Sequence, residues 1–207
     1  MLNSIGLANL GVKEYCQTKL PQLNKLETKV IINIAGYEVD DYVKTLQILE
    51  DHAGNHAGYE INISCPNVKS GGMQFGVDAV LTESLTSEMR KHTKKLLILK
   101  LSPNVTKIED IAMAAEAGGA DMISAINTVV GMGINIHKRK PVLNTVFGGL
   151  SGPAIKPIAL ANVHKIYKVV SVPIIGIGGI ATAEDVIEFI MAGADLVQVG
   201  TANFKDP

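Results

Sequence analysis

The segment Glu60–Gly76, EINISCPNVKSGGMQFG, gathers the residues best suited to chemistry. It opens as a strand and breaks at Cys65-Pro66, because proline cannot donate to a ladder and turns the chain out of a sheet. Cys65 is therefore expected at the C-terminal tip of a strand. A lone cysteine is most often a small buried hydrophobe, and Cys16, in the helical context Tyr15-Cys16-Gln17, reads that way; Cys65 differs in position and neighbours. Asn62 and Ser64 share one strand face by the two-residue period. An asparagine pointing inward from an apolar strand needs a hydrogen-bond partner, which a ligand amide or carbonyl can supply. Similar polar interruptions fall at other strand tips: Asn33 in VIINIAG, Lys100 in LLILKLSPN, and Asn127-Thr128 closing SAINT. A lysine within an apolar strand is costly unless it is paired or touches an anionic or electron-rich ligand. Taken singly, each of these residues reads equally well as a satisfied core polar group. Together they are expected to converge on one mouth.

The elements that must position them alternate. Six short, mostly apolar runs read as buried parallel strands: Lys29–Ala35, Tyr59–Ser64, Leu96–Ser102, Asp121–Asn127, Pro173–Gly178 and Asp195–Gly200. Between them lie helical patterns at Glu38–His52, Asp78–His92, Lys107–Ala117, Pro157–Val169 and Thr182–Ala192, the last with Thr182 as N-cap. This is an α/β class with a parallel sheet. Gly178-Gly179 and Gly200-Thr201 end adjacent strands, an arrangement that resembles the phosphate-gripping last two loops of a TIM (β/α)8 barrel; the alternative is that the glycines merely tighten βα turns, and two matched sites at adjacent strands favour the phosphate reading. A long insert, Thr128–Gly152, reads as a hairpin excursion on the loop face. Its Lys138-Arg139-Lys140 run reads as a solvated turn, or else as a contact to a partner or an anion.

Composition narrows the classes. With 19 Lys+Arg against 20 Asp+Glu there is no basic excess of the kind nucleic-acid binding needs. Two cysteines cannot make a disulfide framework, which fits a reducing, cytoplasmic compartment. No apolar run reaches the roughly 18–20 residues of a membrane span. Apolar residues at 47% suffice for a core, built largely from aliphatic side chains because aromatics are only 4%. No metal site is expected.

Several motifs in order carry a resemblance: Asn3-Ser4-Ile5-Gly6-Leu7, Asn62-Ile63-Ser64-Cys65-Pro66-Asn67, Lys100-Leu101-Ser102-Pro103-Asn104, Asn127-Thr128, Gly148-Gly149-Leu150-Ser151-Gly152 and Ile177-Gly178-Gly179-Ile180. Across essentially all 207 residues the chain resembles the dihydroorotate dehydrogenases. Cysteine at position 65 is similar to the class 1 pattern, and Val68–Gly76 resembles the NAD-linked B type more than the fumarate-linked A type. The resemblance implies FMN-dependent oxidation of (S)-dihydroorotate to orotate in pyrimidine biosynthesis, with Cys65 as general base and hydride passing to flavin N5. It implies substrate contacts from Asn3, Ser4, Ile5, Gly6, Leu7, Asn62, Asn127 and Thr128. It implies FMN contacts from Asn33, Asn62, Lys100, Ile126, Gly152, Gly178, Gly179, Gly200 and Thr201. It also implies a homodimer core and, for the B type, a separate electron-transfer subunit carrying FAD and an iron–sulfur cluster.

The six strands fall short of the eight that the family's barrel has. The expectation is one partial FMN-binding barrel domain over residues 1–207, with the 128–152 excursion on its active-site face, lacking the first two strands and the last helix. The opening Leu2–Leu7 reads as a loop leading into a helix. Two other readings stand beside the enzyme: an inactive truncated barrel, and another flavin barrel such as a dihydropyrimidine dehydrogenase-like domain. The GGLSG and KLSPNVT segments favour the resemblance to dihydroorotate dehydrogenase over the other flavin barrel.

Overall fold

A computed structural model describes residues 1–52, 54–64 and 75–205. Cys65 and the Val68–Gln74 run lie outside the described residues. In chain order the elements are β1 (Leu2–Asn3), α1 (Val12–Thr18), α2 (Leu20–Leu23), β2 (Ile31–Ile34), α3 (Val39–Glu50), β3 (Gly58–Asn62), α4 (Ala79–Lys91), β4 (Leu96–Leu101), α5 (Ile108–Ala117) and β5 (Met122–Ala125). There follow β6 (Val129–Met132), β7 (Ile134–Asn135), β8 (Lys140–Pro141), β9 (Phe147–Leu150), α6 (Lys156–Tyr167), β10 (Ile174–Ile177), α7 (Ala183–Ala192) and β11 (Leu196–Gln198).

Each of the six apolar runs forms a strand, and the six lie in one parallel sheet in the order β11-β10-β5-β4-β3-β2. Neighbours in space follow the order of the chain, as they do around a (β/α) barrel, and the sheet curls into a half-barrel. Alternation divides its two faces. Tyr59, Ile61, Leu97, Leu99 and Leu101 are fully buried and join Leu46, Leu85, Met89 and Phe189 in the core between sheet and helices. The opposite, inner face carries Asn33, Glu60, Asn62, Lys100 and Ser124, as the pairings Asn33↔Glu60, Asn62↔Lys100 and Lys100↔Ser124 require. That face is closed in its middle, where Ile98 and Ser124 have no exposure, and open at both flanks, where Ile31 on β2 is 43% and Leu196 on β11 is 53% exposed.

The chain start departs from the sequence reading. Leu2–Asn3 is a strand, pairing antiparallel with β9 (Leu2↔Leu150, Asn3↔Gly149) and joining β6 in a small three-stranded sheet. Two residues are too few to show any period, so this long-range pairing left no pattern to read. The helix that follows starts at Val12, after Gly11 at φ 82°. Cys16 lies on it and is buried, and burial pushes its thiol up.

Helix α7 has the predicted cap: the Thr182 hydroxyl accepts from Asp185 N, and the Asp185 carboxylate accepts from Thr182 N at 2.9 Å and Ala181 N at 2.8 Å. Its Phe189 ring fills the space above Gly176, where any Cβ would collide with it. Phe189→Ala should cost about 3–5 kcal/mol in urea unfolding. Gly176→Ala should destabilise the wild type but cost clearly less in the Phe189→Ala background, because the collision is then relieved.

Candidate functional site

The site is built at the C-terminal ends of the parallel strands. Between the ends of β4, β5, β10 and β11 and the start of α6 lies a pocket of about 500 Å³. Its lining includes Lys100, Ile126, Asn127, Thr128, Gly152, Gly178, Gly179, Gly200 and Thr201. All the positions that the sequence resemblance assigns to flavin are therefore together here, except Asn33 and Asn62. Those two lie on the same inner face, at β2 and at the end of β3.

The glycines are placed for close backbone approach. Gly152, Gly178 and Gly179 adopt φ of 90°, 131° and 81°, a region side chains rarely enter. A Cβ on Gly179 would press on Gly152 O and on Lys156, each at 2.9 Å, whereas one on Gly200 would meet no protein atom within 4 Å and would extend into open space. The backbone N–H groups of Gly178, Gly179 and Gly200 donate to no partner among the described residues. Free amides beside Lys100 and Lys205 form a lining that suits an anionic group. A flavin phosphate fits this donor set.

Polar side chains are tied together at the mouth. Asn62, buried, accepts at Oδ1 from Ser64 N (3.1 Å) and from Asn127 Nδ2 (3.2 Å), and the Tyr42 hydroxyl donates to its carbonyl at 2.9 Å. Asn127 Oδ1 in turn accepts from Thr128 N at 2.8 Å. Ser64 Oγ donates to Lys100 O at 3.1 Å, stitching the end of β3 to β4. Asn62 Nδ2 has no partner among the described residues and remains free to donate to a ligand. Asn33 donates to Glu60 at 2.7 Å, and Lys100 Nζ lies 3.5 Å from the same carboxylate oxygen.

The opening segment contributes differently. Asn3 sits in β1, its Nδ2 donating to Gly149 O at 3.5 Å, while Ser4, Ile5, Gly6 and Leu7 are exposed. None of the five lines the pocket. Its rim is continued by the excursion: Asn104 donates to Thr128 O and accepts from Val130 N, fixing the base of β6. Lys138, Arg139 and Lys140 at the excursion's tip are exposed.

A family model described as dihydroorotate dehydrogenase matches residues 1–207. The chain belongs to the dihydroorotate dehydrogenase family. It is 55% identical over all its 207 residues to a catalytic subunit of dihydroorotate dehydrogenase B (NAD+) from Alkaliphilus metalliredigens, of whose length it covers 68%. A second such catalytic subunit, from Phocaeicola vulgatus, is 51% identical over the same spans. A putative dihydroorotate dehydrogenase A (fumarate) from Solibacter usitatus is 50% identical, again over the whole chain and 68% of the relative. The family's members are flavoprotein oxidoreductases. Among the described residues no helix is long and apolar enough to cross a membrane.

Sequence reading gave no individual role to Glu60, Ser124, Asn104 and Lys156, although Glu60 and Asn104 stand in the motifs it singled out. Glu60 had a signal: it stands two residues before Asn62 and so shares its face. Lys156 had none, because its partners Asp185 (2.6 Å) and Glu188 (2.8 Å) lie on a later helix.

Lys156 and the capping amides bear on stability. The Lys156 ammonium first, then the Ala181 and Thr182 N–H groups, pull the Asp185 carboxyl from 3.8 down to about 2. A value lowered by folding means that the ionised carboxylate stabilises the fold above about pH 4, and that this contribution disappears as pH falls toward 2. In unfolding series at stepped pH, the wild type should exceed Asp185→Asn in stability at pH 5–7, and the gap should narrow between pH 4 and pH 2. A gap that stays constant with pH would remove Asp185 from this role.

Proposed function

We propose that this chain oxidises (S)-dihydroorotate to orotate with FMN, in cytoplasmic pyrimidine biosynthesis, as a catalytic subunit of the B type. The observation that carries the reading is the pocket: the residues the family resemblance assigns to flavin, Asn33 and Asn62 apart, line one cavity whose Gly178, Gly179 and Gly200 amides have no partner among the described residues and whose lining includes Lys100 and Lys205. Gly178, Gly179, Gly200 and Thr201 would hold the phosphate, Gly152 and Ile126 the body of the cofactor, and Lys100 the electron-rich side of the ring, with Asn33 and Asn62 behind it. When bound, FMN supplies the hydride acceptor.

The chain's own groups would do the rest. Asn62, fixed by Ser64 N and Asn127, keeps an N–H for the substrate. Thr128 and Asn127 stand beside it on the pocket wall. Asn3, Ser4, Ile5, Gly6 and Leu7 would cover the substrate's carboxylate side. They come from a segment fastened to β9, next to the same rim. Cys65 follows Ser64 directly in sequence and would take the C5 proton as thiolate, the form in which a cysteine acts as base. Electrons would leave through a separate subunit bearing FAD and an iron–sulfur cluster, around a homodimeric core. The words "catalytic subunit" in the names of the B-type relatives support a separate partner subunit; its FAD and iron–sulfur cluster, and the homodimeric core, come from the family resemblance.

Two measurements test the reading. FMN added to the chain should bind, with its fluorescence quenched and its near-450 nm band shifted, and Gly200→Val should weaken that binding at least about tenfold by filling the open side of the pocket. Under anaerobic conditions dihydroorotate should bleach the bound flavin. Cys65→Ala should slow the bleaching by about 10²–10⁴-fold, the usual worth of a general base, with FMN affinity within about twofold of wild type. Absence of FMN binding by the wild type would overturn the flavin assignment. An unchanged bleaching rate in Cys65→Ala would overturn the base assignment alone.

A further inference from the structure

One buried charge on the inner face has no part in the chemistry above. Glu60 is 6% exposed and stands at the centre of four strands. Its Oε2 accepts from Asn33 Nδ2 on β2 at 2.7 Å, and its Oε1 accepts from Ser124 Oγ on β5 at 2.8 Å. Lys100 Nζ on β4 approaches Oε2 at 3.5 Å. The two short bonds come from neutral donors on opposite sides, and the long one comes from the only cation near it among the described residues. A carboxylate–ammonium contact normally closes to about 2.7–2.9 Å when both groups are free to move. Here the carboxylate is anchored by Asn33 and Ser124 and cannot follow the lysine. The lysine in turn has its three donors and no other partner among the described residues. It also lines the pocket.

Register explains the placement. Lys100 is the partner of Asn62, two residues further along β3 than Glu60. The Glu60 backbone therefore sits one layer deeper in the half-barrel than that of Lys100, and its carboxylate reaches up to the level of Lys100 and Ser124. A charge anchored behind Lys100 and off its ideal contact distance restrains the ammonium and opposes its field without consuming its donors.

We propose that Glu60 is the positioning residue of Lys100. Fixed by Asn33 and Ser124, it holds the ammonium at the pocket wall and offsets its charge, and so sets how strongly Lys100 acts on an electron-rich ligand. That ligand is the flavin ring of the reading above, on which this part of the inference rests.

The first test needs no flavin. Sparse acetylation of the chain, read lysine by lysine by peptide mass spectrometry, should modify Lys100 at least about threefold faster in Glu60→Gln than in wild type, with the exposed Lys44 and Lys91 unchanged. Ser124→Ala and Asn33→Ala remove one anchor each without touching either charge, and each should give a smaller acceleration at Lys100. These two variants keep the test decisive should Glu60→Gln not fold. Equal Lys100 rates in all variants that fold would overturn the proposal. The second test uses the FMN-bound chain. At a fixed poise against a mediator dye, Glu60→Gln should raise the reduced-to-oxidised ratio about tenfold, or about 30 mV for a two-electron couple, and the same change in a Lys100→Met background should have no effect. A shift that persists without Lys100 would show that Glu60 does not act through it, and would overturn the proposal. Failure of the wild type to bind FMN would count against the flavin reading only, because the acetylation result stands without it.

Discussion

A carboxylate on the inner face of a parallel sheet has to be satisfied by its neighbours, because water cannot supply what it lost on burial. Glu60 meets that requirement with donors from the strands on both sides, and in doing so ties β2, β3, β4 and β5 together across two adjacent levels. Much of the site follows from this constraint. With Glu60 fixed, the next inward positions along the strands, Asn62 and Lys100, are delivered side by side at the level above. From there Asn62 reaches Asn127 and Ser64 reaches the Lys100 carbonyl, so the mouth is held by side chains as well as by the ladder. An apolar residue at position 60 would satisfy packing equally well, but it would leave the ammonium without a counter-charge.

The glycine end of the pocket is organised by a different device. There the backbone forms the pocket wall, with positive φ at Gly152, Gly178 and Gly179. Asp185 occupies the N–H groups of Ala181 and Thr182 for its own cap, so the donors left open are those of the glycines before it. Lys156 neutralises that carboxylate at the edge of an otherwise cation-rich lining. Helix start, ion pair and cradle are thus one local arrangement spread over α6, α7 and the loop between β10 and α7.

The sheet was legible in the sequence because its signals are local. Runs such as LLILKL and PIIGIG are short, apolar and closed by turn residues, and Thr182 with Asp185 three positions later writes its own cap. Lys100 and Asn62 were legible as anomalies, polar residues inside apolar runs. What could not be read was partnership. A sequence shows that Lys100 must be paired, but the pair lies 40 positions earlier, and the register that brings Glu60 beneath it exists only once β3 and β4 are side by side. The same holds for β1, two residues whose strand character comes entirely from β9, 146 or more positions away. Cys65 is the reverse case: its sequence context is the most telling in the chain, yet it lies outside the described residues.

The glycine cradle sits at one end of the sheet, and among the described residues β11 is held there by β10 alone. A strand with a neighbour on one side only opens more readily than one flanked on both, so amide protons of β11 should exchange well before those of β4. Any ligand gripped by Gly200 and Thr201 is therefore gripping a fraying edge, and part of its binding free energy goes into quieting that edge. Affinity at this end of the pocket is as much a property of strand dynamics as of the contacts themselves.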